Sequence, residues 1–170
     1  MPGHLFLIGF MGSGKSTLAT RLARRTGRPS IELDERIERV AGRSIADLFS
    51  SDGEIKFREL EKETLATLAR EPSSIVATGG GAFLAAENRK EMRDQGWTAW
   101  LDVSLEQARD RVGSDPGRPL WKETDSLEFR AFFEKRRACY ALAGARVVTT
   151  GKTPEAIESE LIERFERIFD

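Results

Sequence analysis

The chain has 170 residues and a mass of 19.0 kDa, enough to enclose one sizeable core. Hydrophobic residues make up 39% and charged residues 32%, a balance that fits a folded soluble protein and argues against disorder. With 27 basic residues against 28 acidic ones, the net charge of −1 leaves no basic footprint for nucleic acid or an anionic membrane, so neither partner is expected.

The first stretch, "MPGHLFLIGF", lacks a basic n-region, and its apolar run is too short for a signal peptide. No segment approaches the roughly 20 apolar residues of a spanning helix. Cys139 is the one cysteine and cannot form an internal disulfide, so a reducing, cytoplasmic location is expected. His4 is the one histidine, which all but removes histidine catalysis and zinc sites from consideration.

Five apolar runs read as strands buried on both faces: residues 5–10, 30–33, 74–79, 98–103 and 145–150. Helical stretches lie between them. "KSTLATRLARRT" (15–26) stops at Gly27, and "GEIKFRELEKETLATLAR" (53–70) places Phe57, Leu60, Leu65 and Leu68 at helical spacing. Ser104 and Gln107 form a capping box for a helix after the fourth strand. Thr153, Pro154 and Glu155 open a last helix whose stripe is Ile157, Leu161, Ile162, Phe165, Ile168 and Phe169. Alternating strands and helices predict right-handed crossovers and a three-layer α/β/α fold around a five-stranded parallel sheet. Residues 113–126 alone lack apolar periodicity, and their place in the order favours a functional loop over a plain excursion.

The first strand runs into Gly9-Phe-Met-Gly-Ser-Gly14-Lys15-Ser16, which satisfies G-x-x-x-x-G-K-[ST] between a strand and a helix. Glycines let successive N–H groups point inward at the positive end of a helix, forming an anion nest. In this pattern Lys15 reaches the β- and γ-phosphates, and the Ser16 hydroxyl ligates Mg²⁺. The chain therefore holds a nucleoside triphosphate. The N-K-x-D guanine reader of a GTPase is absent, since the single asparagine, Asn88, is followed by Arg-Lys-Glu. A large motor ATPase is excluded by size, which leaves a small-molecule or nucleotide kinase.

An acceptor would bind at the carboxyl ends of the strands. Glu32 and Asp34 close the second strand, Gly79, Gly80 and Gly81 the third, and the helix from 53 sets Arg58 one turn from Glu54 and Glu61. Arginine offers a fork for a carboxylate or phosphate, Asp34 can accept from hydroxyls, and bare glycine backbone lets a ring lie close. Taken singly, Asp34 could merely start a helix, Arg58 could be a solvated partner in i,i+4 pairs, and the glycines could be a tight turn. Together, behind a phosphate loop, they favour an acceptor site.

Over essentially its whole length the sequence resembles the shikimate kinase family, with its nucleoside-monophosphate-kinase-like P-loop fold. The likeness rests on "GFMGSGKST", the acidic pair at 32 and 34, "FRELE" (57–61), "ATGGGAF" (77–83), "RPL" (118–120) and "RRACY" (136–140). It implies a single kinase domain over 1–170, with an acceptor segment near 33–61 and a lid near 113–126. It also implies monomeric, ATP- and Mg²⁺-dependent phosphorylation of the shikimate 3-hydroxyl in aromatic amino acid biosynthesis. On the matching positions, Asp34, Arg58, Gly80 and Arg136 bind shikimate, with Gly79 and Gly81 beside them. Gly12, Ser13, Gly14, Lys15, Ser16 and Thr17 bind ATP and Mg²⁺, while Arg111 and Lys152 lie near the adenine. Arg118 closes over the phosphates, and Lys15, Asp34 and Arg118 form the catalytic set.

Arg136 is chosen over its neighbours Lys135 and Arg137 by the R-x-x-x-Y spacing to Tyr140. The sequence departs from the family in carrying Glu32 where aspartate is usual, which bears on a water-mediated Mg²⁺ contact, and Trp121 where leucine is usual. A gluconate or nucleoside-monophosphate kinase is the nearest alternative enzyme. A non-catalytic ATP-binding module is the alternative of another class, and a lid arginine argues against it.

Overall fold

The structure, a computed structural model, describes residues 3–112 and 127–169, Val112 and the last four by backbone only. The expected lid at 113–126, with Arg118 and Trp121, lies outside the described residues.

β1 (His4–Ile8) is central in a five-stranded sheet of order β2-β3-β1-β4-β5, whose other strands are Ser30–Glu32, Ile75–Ala77, Gly96–Asp102 and Ala145–Val148. Every pairing is parallel; Leu7 stands opposite Ala77 on one side and Ala99 on the other. The inner strands β1, β3 and most of β4 are therefore buried between helices, as their apolar runs demand, while the edge strands β2 and β5 stay part-exposed. Phe6, Ile8 and Trp100 face a cluster built with Phe57, Leu65, Met92, Phe133 and Tyr140. Leu5, Leu7 and Leu101 face the opposite way, onto Leu18, Leu22, Ile157, Leu161 and Phe165. Burying each such side chain contributes about 1.5–3 kcal/mol, spread over both faces.

The helices are α1 (Lys15–Thr26), α2 (Leu33–Ala41), α3 (Ile45–Ser51), α4 (Gly53–Thr67), α5 (Ala86–Gln95), α6 (Leu105–Val112), α7 (Leu127–Tyr140) and α8 (Pro154–Phe169). All the strands but β4 are shorter than the apolar runs, and the second ends at Glu32 because Leu33 already opens α2. Asp34 thus sits in the first turn of a helix rather than on a strand end, where its charge also suits the helix dipole. The capping box at α6 is half formed. Gln107 donates its backbone N–H to Ser104 Oγ at 3.2 Å, but the Ser104 N–H donates to Thr150 Oγ1 at 2.8 Å. Thr153 caps α8 through the Ala156 N–H at 3.3 Å. His4 is a core residue: its Nδ1 accepts from the Ser74 N–H and its Nε2 meets the Leu68 carbonyl at 2.9 Å. Among the described residues, no helix is long and apolar enough to cross a membrane.

Candidate active site

β1 ends in the phosphate loop. Gly9, Gly12 and Gly14 take φ of 148°, 73° and 92°, a range that L side chains rarely adopt. The α1 N-cap is Gly14, with no side-chain hydrogen bond to the first turn, so the N–H groups there are left for an anion. Lys15 Nζ bridges the loop, donating to the carbonyls of Gly9 and Phe10 at 2.9 and 3.0 Å and to Ser13 Oγ at 3.4 Å. An arriving phosphate would exchange neutral acceptors for charged ones, a stronger bond. Arg111, on α6, donates to the Gly12 carbonyl at 3.1 Å and so braces the loop. A cavity of about 320 Å³ opens here, lined by Gly12, Gly14, Lys15, Ser16 and Thr17, and on the far wall by Glu32, Asp34, Gly79 and Gly80. The donor set and the cradle fit a magnesium nucleotide.

Ser16 Oγ donates to Glu32 Oε2 at 3.0 Å, so the strand-end carboxylate lies directly at the expected metal position. Burial pushes the Glu32 carboxyl above its ordinary value, with the Ser16 hydrogen bond and Lys15 opposing.

On the acceptor side, each glycine of the triplet backs onto a different predicted residue. A Cβ on Gly79 would stand 2.6 Å from Asp34 Oδ1, one on Gly80 3.3 Å from Arg136 Nη1, and one on Gly81 2.5 Å from Arg58 Nη2. Gly80 also adjoins the phosphate loop, with the Gly9 carbonyl oxygen 3.7 Å from that Cβ position. Residues from α2, α4 and α7 therefore converge on one bend, beside the nucleotide cradle.

Arg58 is held from below by Glu61, its Nη1 donating to Oε1 and Oε2 at 3.1 and 2.9 Å, and from the side by Glu54 at 3.3 Å. Its guanidinium also lies 5.0 Å from the Phe57 ring centroid. Glu61 is fully buried, and that burial raises its pKa while Arg58 pulls it back down. Asn88 donates to Glu61 Oε2 at 3.3 Å and to the Ala82 carbonyl at 3.0 Å, tying Glu61 to the glycine bend.

Of the two adjacent arginines, Arg137 pairs with Asp102 at 3.1 Å, on the sheet side, while Arg136 faces Gly80. Lys152 stands apart, its Nζ on Glu160 Oε2 at 2.6 Å. The buried supports Glu61, Asn88 and Tyr140 were not singled out from the sequence as site residues. A carboxylate three positions from Arg58 was the one signal for Glu61, and the spacing to Arg136 the one for Tyr140.

A phosphate loop facing two arginines and an aspartate across a bare glycine bend defines a P-loop phosphotransferase with a small anionic acceptor. The family model for shikimate kinase matches residues 11–166. The chain is 39% identical over 161 residues to the shikimate kinase of Persephonella marina, covering 95% of this chain and 98% of the relative. It is similar to the crystal structure of shikimate kinase from Aquifex aeolicus, with TM-score 0.82 and 34% identity over 96% of each chain. It is also similar to the shikimate kinase from Acinetobacter baumannii solved in complex with shikimate, with TM-score 0.87 and 29% identity over 97% of this chain and 93% of that one. The chain belongs to the shikimate kinase family.

Proposed function

We propose that this chain phosphorylates the 3-hydroxyl of shikimate at the expense of ATP, as a step in aromatic amino acid biosynthesis. The observation that carries this reading is the packing of Asp34, Arg136 and Arg58 against Gly79, Gly80 and Gly81 in turn. Shikimate is a small carboxylate bearing hydroxyls, and its recognition needs guanidinium forks for the first and an acceptor for the second.

MgATP, when bound, supplies the transferable phosphoryl group. Gly12 to Thr17, Lys15 among them, would hold its phosphates, and Ser16 directly and Glu32 through a water would hold Mg²⁺, which would neutralise phosphate charge. Arg58 and Arg136 hold the acceptor's carboxylate, and Asp34 orients the attacking hydroxyl and accepts its proton as the acceptor oxygen bonds the γ-phosphorus and the bond from that phosphorus to the bridging oxygen breaks, releasing ADP. Arg118, outside the described residues, is assigned to charge neutralisation from the lid, and Arg111 and Lys152 to the nucleotide side. Positioning and charge neutralisation are most of what phosphoryl transfer asks of a protein. We read 1–170 as one kinase domain, monomeric and cytoplasmic.

A coupled ADP-release assay with shikimate, gluconate, AMP and CMP tests the acceptor. Turnover with shikimate alone is expected, and turnover with gluconate alone would overturn the assignment.

A further inference from the structure

Tyr140, the last residue of α7, is fully buried with its polar end directed at the glycine bend. Its hydroxyl donates to the Gly80 carbonyl at 2.5 Å, and its ring leans on Trp100 with centroids 6.2 Å apart. Arg136 lies one turn earlier on the same helix, and its guanidinium and the phenolic oxygen converge on Gly80, 3.3 and 3.8 Å from where a Cβ would stand there. The Arg136 guanidinium also rests 4.3 Å from the Phe132 ring centroid, and none of the described carboxylates forms an ion pair with it. Arg58 and Arg137, by contrast, each have two carboxylate partners.

We infer that Tyr140 is a positioning residue for the acceptor's carboxylate, one hydroxyl that sets both Arg136 and the Gly80–Gly81 peptide. The inference rests on the reading of Arg136 and Gly80 as acceptor-binding groups. A guanidinium has five N–H donors, and a carboxylate fork uses two of them. A neutral phenolic oxygen beside the guanidinium offers one of the others an acceptor and steadies the plane without lending negative charge. An acid in its place would compete with the substrate for the same cation. The hydroxyl's own hydrogen is committed to Gly80. Because that peptide is trans, anchoring the Gly80 carbonyl also fixes the opposed direction of the Gly81 N–H. Burial pushes the phenol up to about 12, against the pull of the Arg136 charge, so the donor keeps its hydrogen throughout the neutral range.

Tyr140→Phe keeps the ring and removes the hydroxyl. The KM for shikimate should rise about tenfold, the size expected of one lost hydrogen bond to a charged group. The kcat and the KM for ATP should stay within about twofold of the parent. Against the methyl ester of shikimate, which has no carboxylate charge, parent and variant should perform alike. Arg136→Lys, and the double variant with Tyr140→Phe, complete the cycle: the double should lose little beyond Arg136→Lys alone. If Arg136→Lys raises the KM for shikimate and Tyr140→Phe leaves it unchanged, the inference is wrong and the site reading stands. An unaffected Arg136→Lys would sink the site reading and the inference with it. A Tyr140→Phe enzyme impaired equally on acid and ester, with both KM values raised, would show that the hydroxyl serves only the core.

Discussion

Two glycine-rich bends meet in this molecule, and they use glycine for opposite reasons. At Gly14, where the phosphate loop enters α1, the need is conformational: its φ is 92°, yet a Cβ there would meet nothing closer than 4.0 Å. In the bend at 79–81 no φ is positive, and Gly81 sits at −98°, where any residue is comfortable. The need there is space, because each Cβ would enter the volume of a charged side chain. One loop bends so that its backbone can meet a ligand. The other stays bare so that side chains from elsewhere can reach the same spot.

The sharpest way to break this contrast is alanine in each bend. Gly81→Ala places a carbon 2.5 Å from Arg58 Nη2, the far end of a flexible side chain, so the fold yields cheaply while the arginine is displaced. The kcat/KM for shikimate should fall about a hundredfold, since shifting a positioning group by an ångström costs that much. Melting temperature and MgADP affinity, measured by calorimetry, should stay near the parent's. Gly14→Ala should do the reverse and abolish nucleotide binding through backbone strain. Equal loss of nucleotide binding in both variants would mean that the two bends do not differ as argued.

Next in size are Arg58→Lys and Arg136→Lys. Each keeps the charge and loses the planar fork, so the kcat/KM for shikimate should fall about thirtyfold while the KM for ATP holds. The pair also tests the two modes of support, since Arg58 is fixed by the buried Glu61 while Arg136 rests on the Phe132 ring. Initial rates with each substrate varied in turn separate the effects.

The same contrast explains what the sequence revealed. The phosphate loop was legible because its chemistry is contiguous: strand, glycines, lysine, hydroxyl and helix follow one another, and α1 runs from Lys15 to Thr26 as its flanking glycines imply. The acceptor site is assembled across the fold, so its residue types were readable but its supports were not. Asn88 meets Glu61 across 27 residues, and Tyr140 meets Gly80 across 60. Thr150 displaces half of the expected Ser104–Gln107 box from 46 residues away. Strand limits slipped at Leu33, where a fully buried apolar residue satisfies a strand end and a helix start equally well.

Glu61 provides a smaller and pH-dependent test. Burial raises its pKa, so on acidification it takes up a proton closer to neutrality than an ordinary carboxylate does. Once protonated it no longer neutralises Arg58, and the fork loses its anchor. The KM for shikimate should therefore climb as the pH falls below neutral, while the KM for ATP stays flat. Glu61→Gln should start about tenfold higher in KM for shikimate and lose that climb. A variant that keeps the parent's slope would assign the titration to another group.

The smallest expected effect belongs to Glu32, on the phosphate side. Aspartate is usual at this strand end, and glutamate is one methylene longer. The added length is taken up by reach: Oε2 extends to within 3.0 Å of the Ser16 hydroxyl that is assigned to Mg²⁺. When the metal binds Ser16, the carboxylate must give up this direct bond and accept from a metal-bound water instead. Such a contact tolerates slack better than direct coordination does. Burial favours the protonated carboxyl, and a nearby cation would oppose that and keep Glu32 ionised. Glu32→Asp should therefore retain most of the activity, because a water can bridge the shortened gap. Glu32→Ala should raise the Mg²⁺ concentration for half-maximal rate about fivefold, the cost of one water-mediated contact, with the saturated rate changed less. The measurement is a Mg²⁺ titration at fixed ATP for all three proteins. An alanine variant whose curve overlays the parent's would make Glu32 a plain partner of Ser16 with no part in holding the metal.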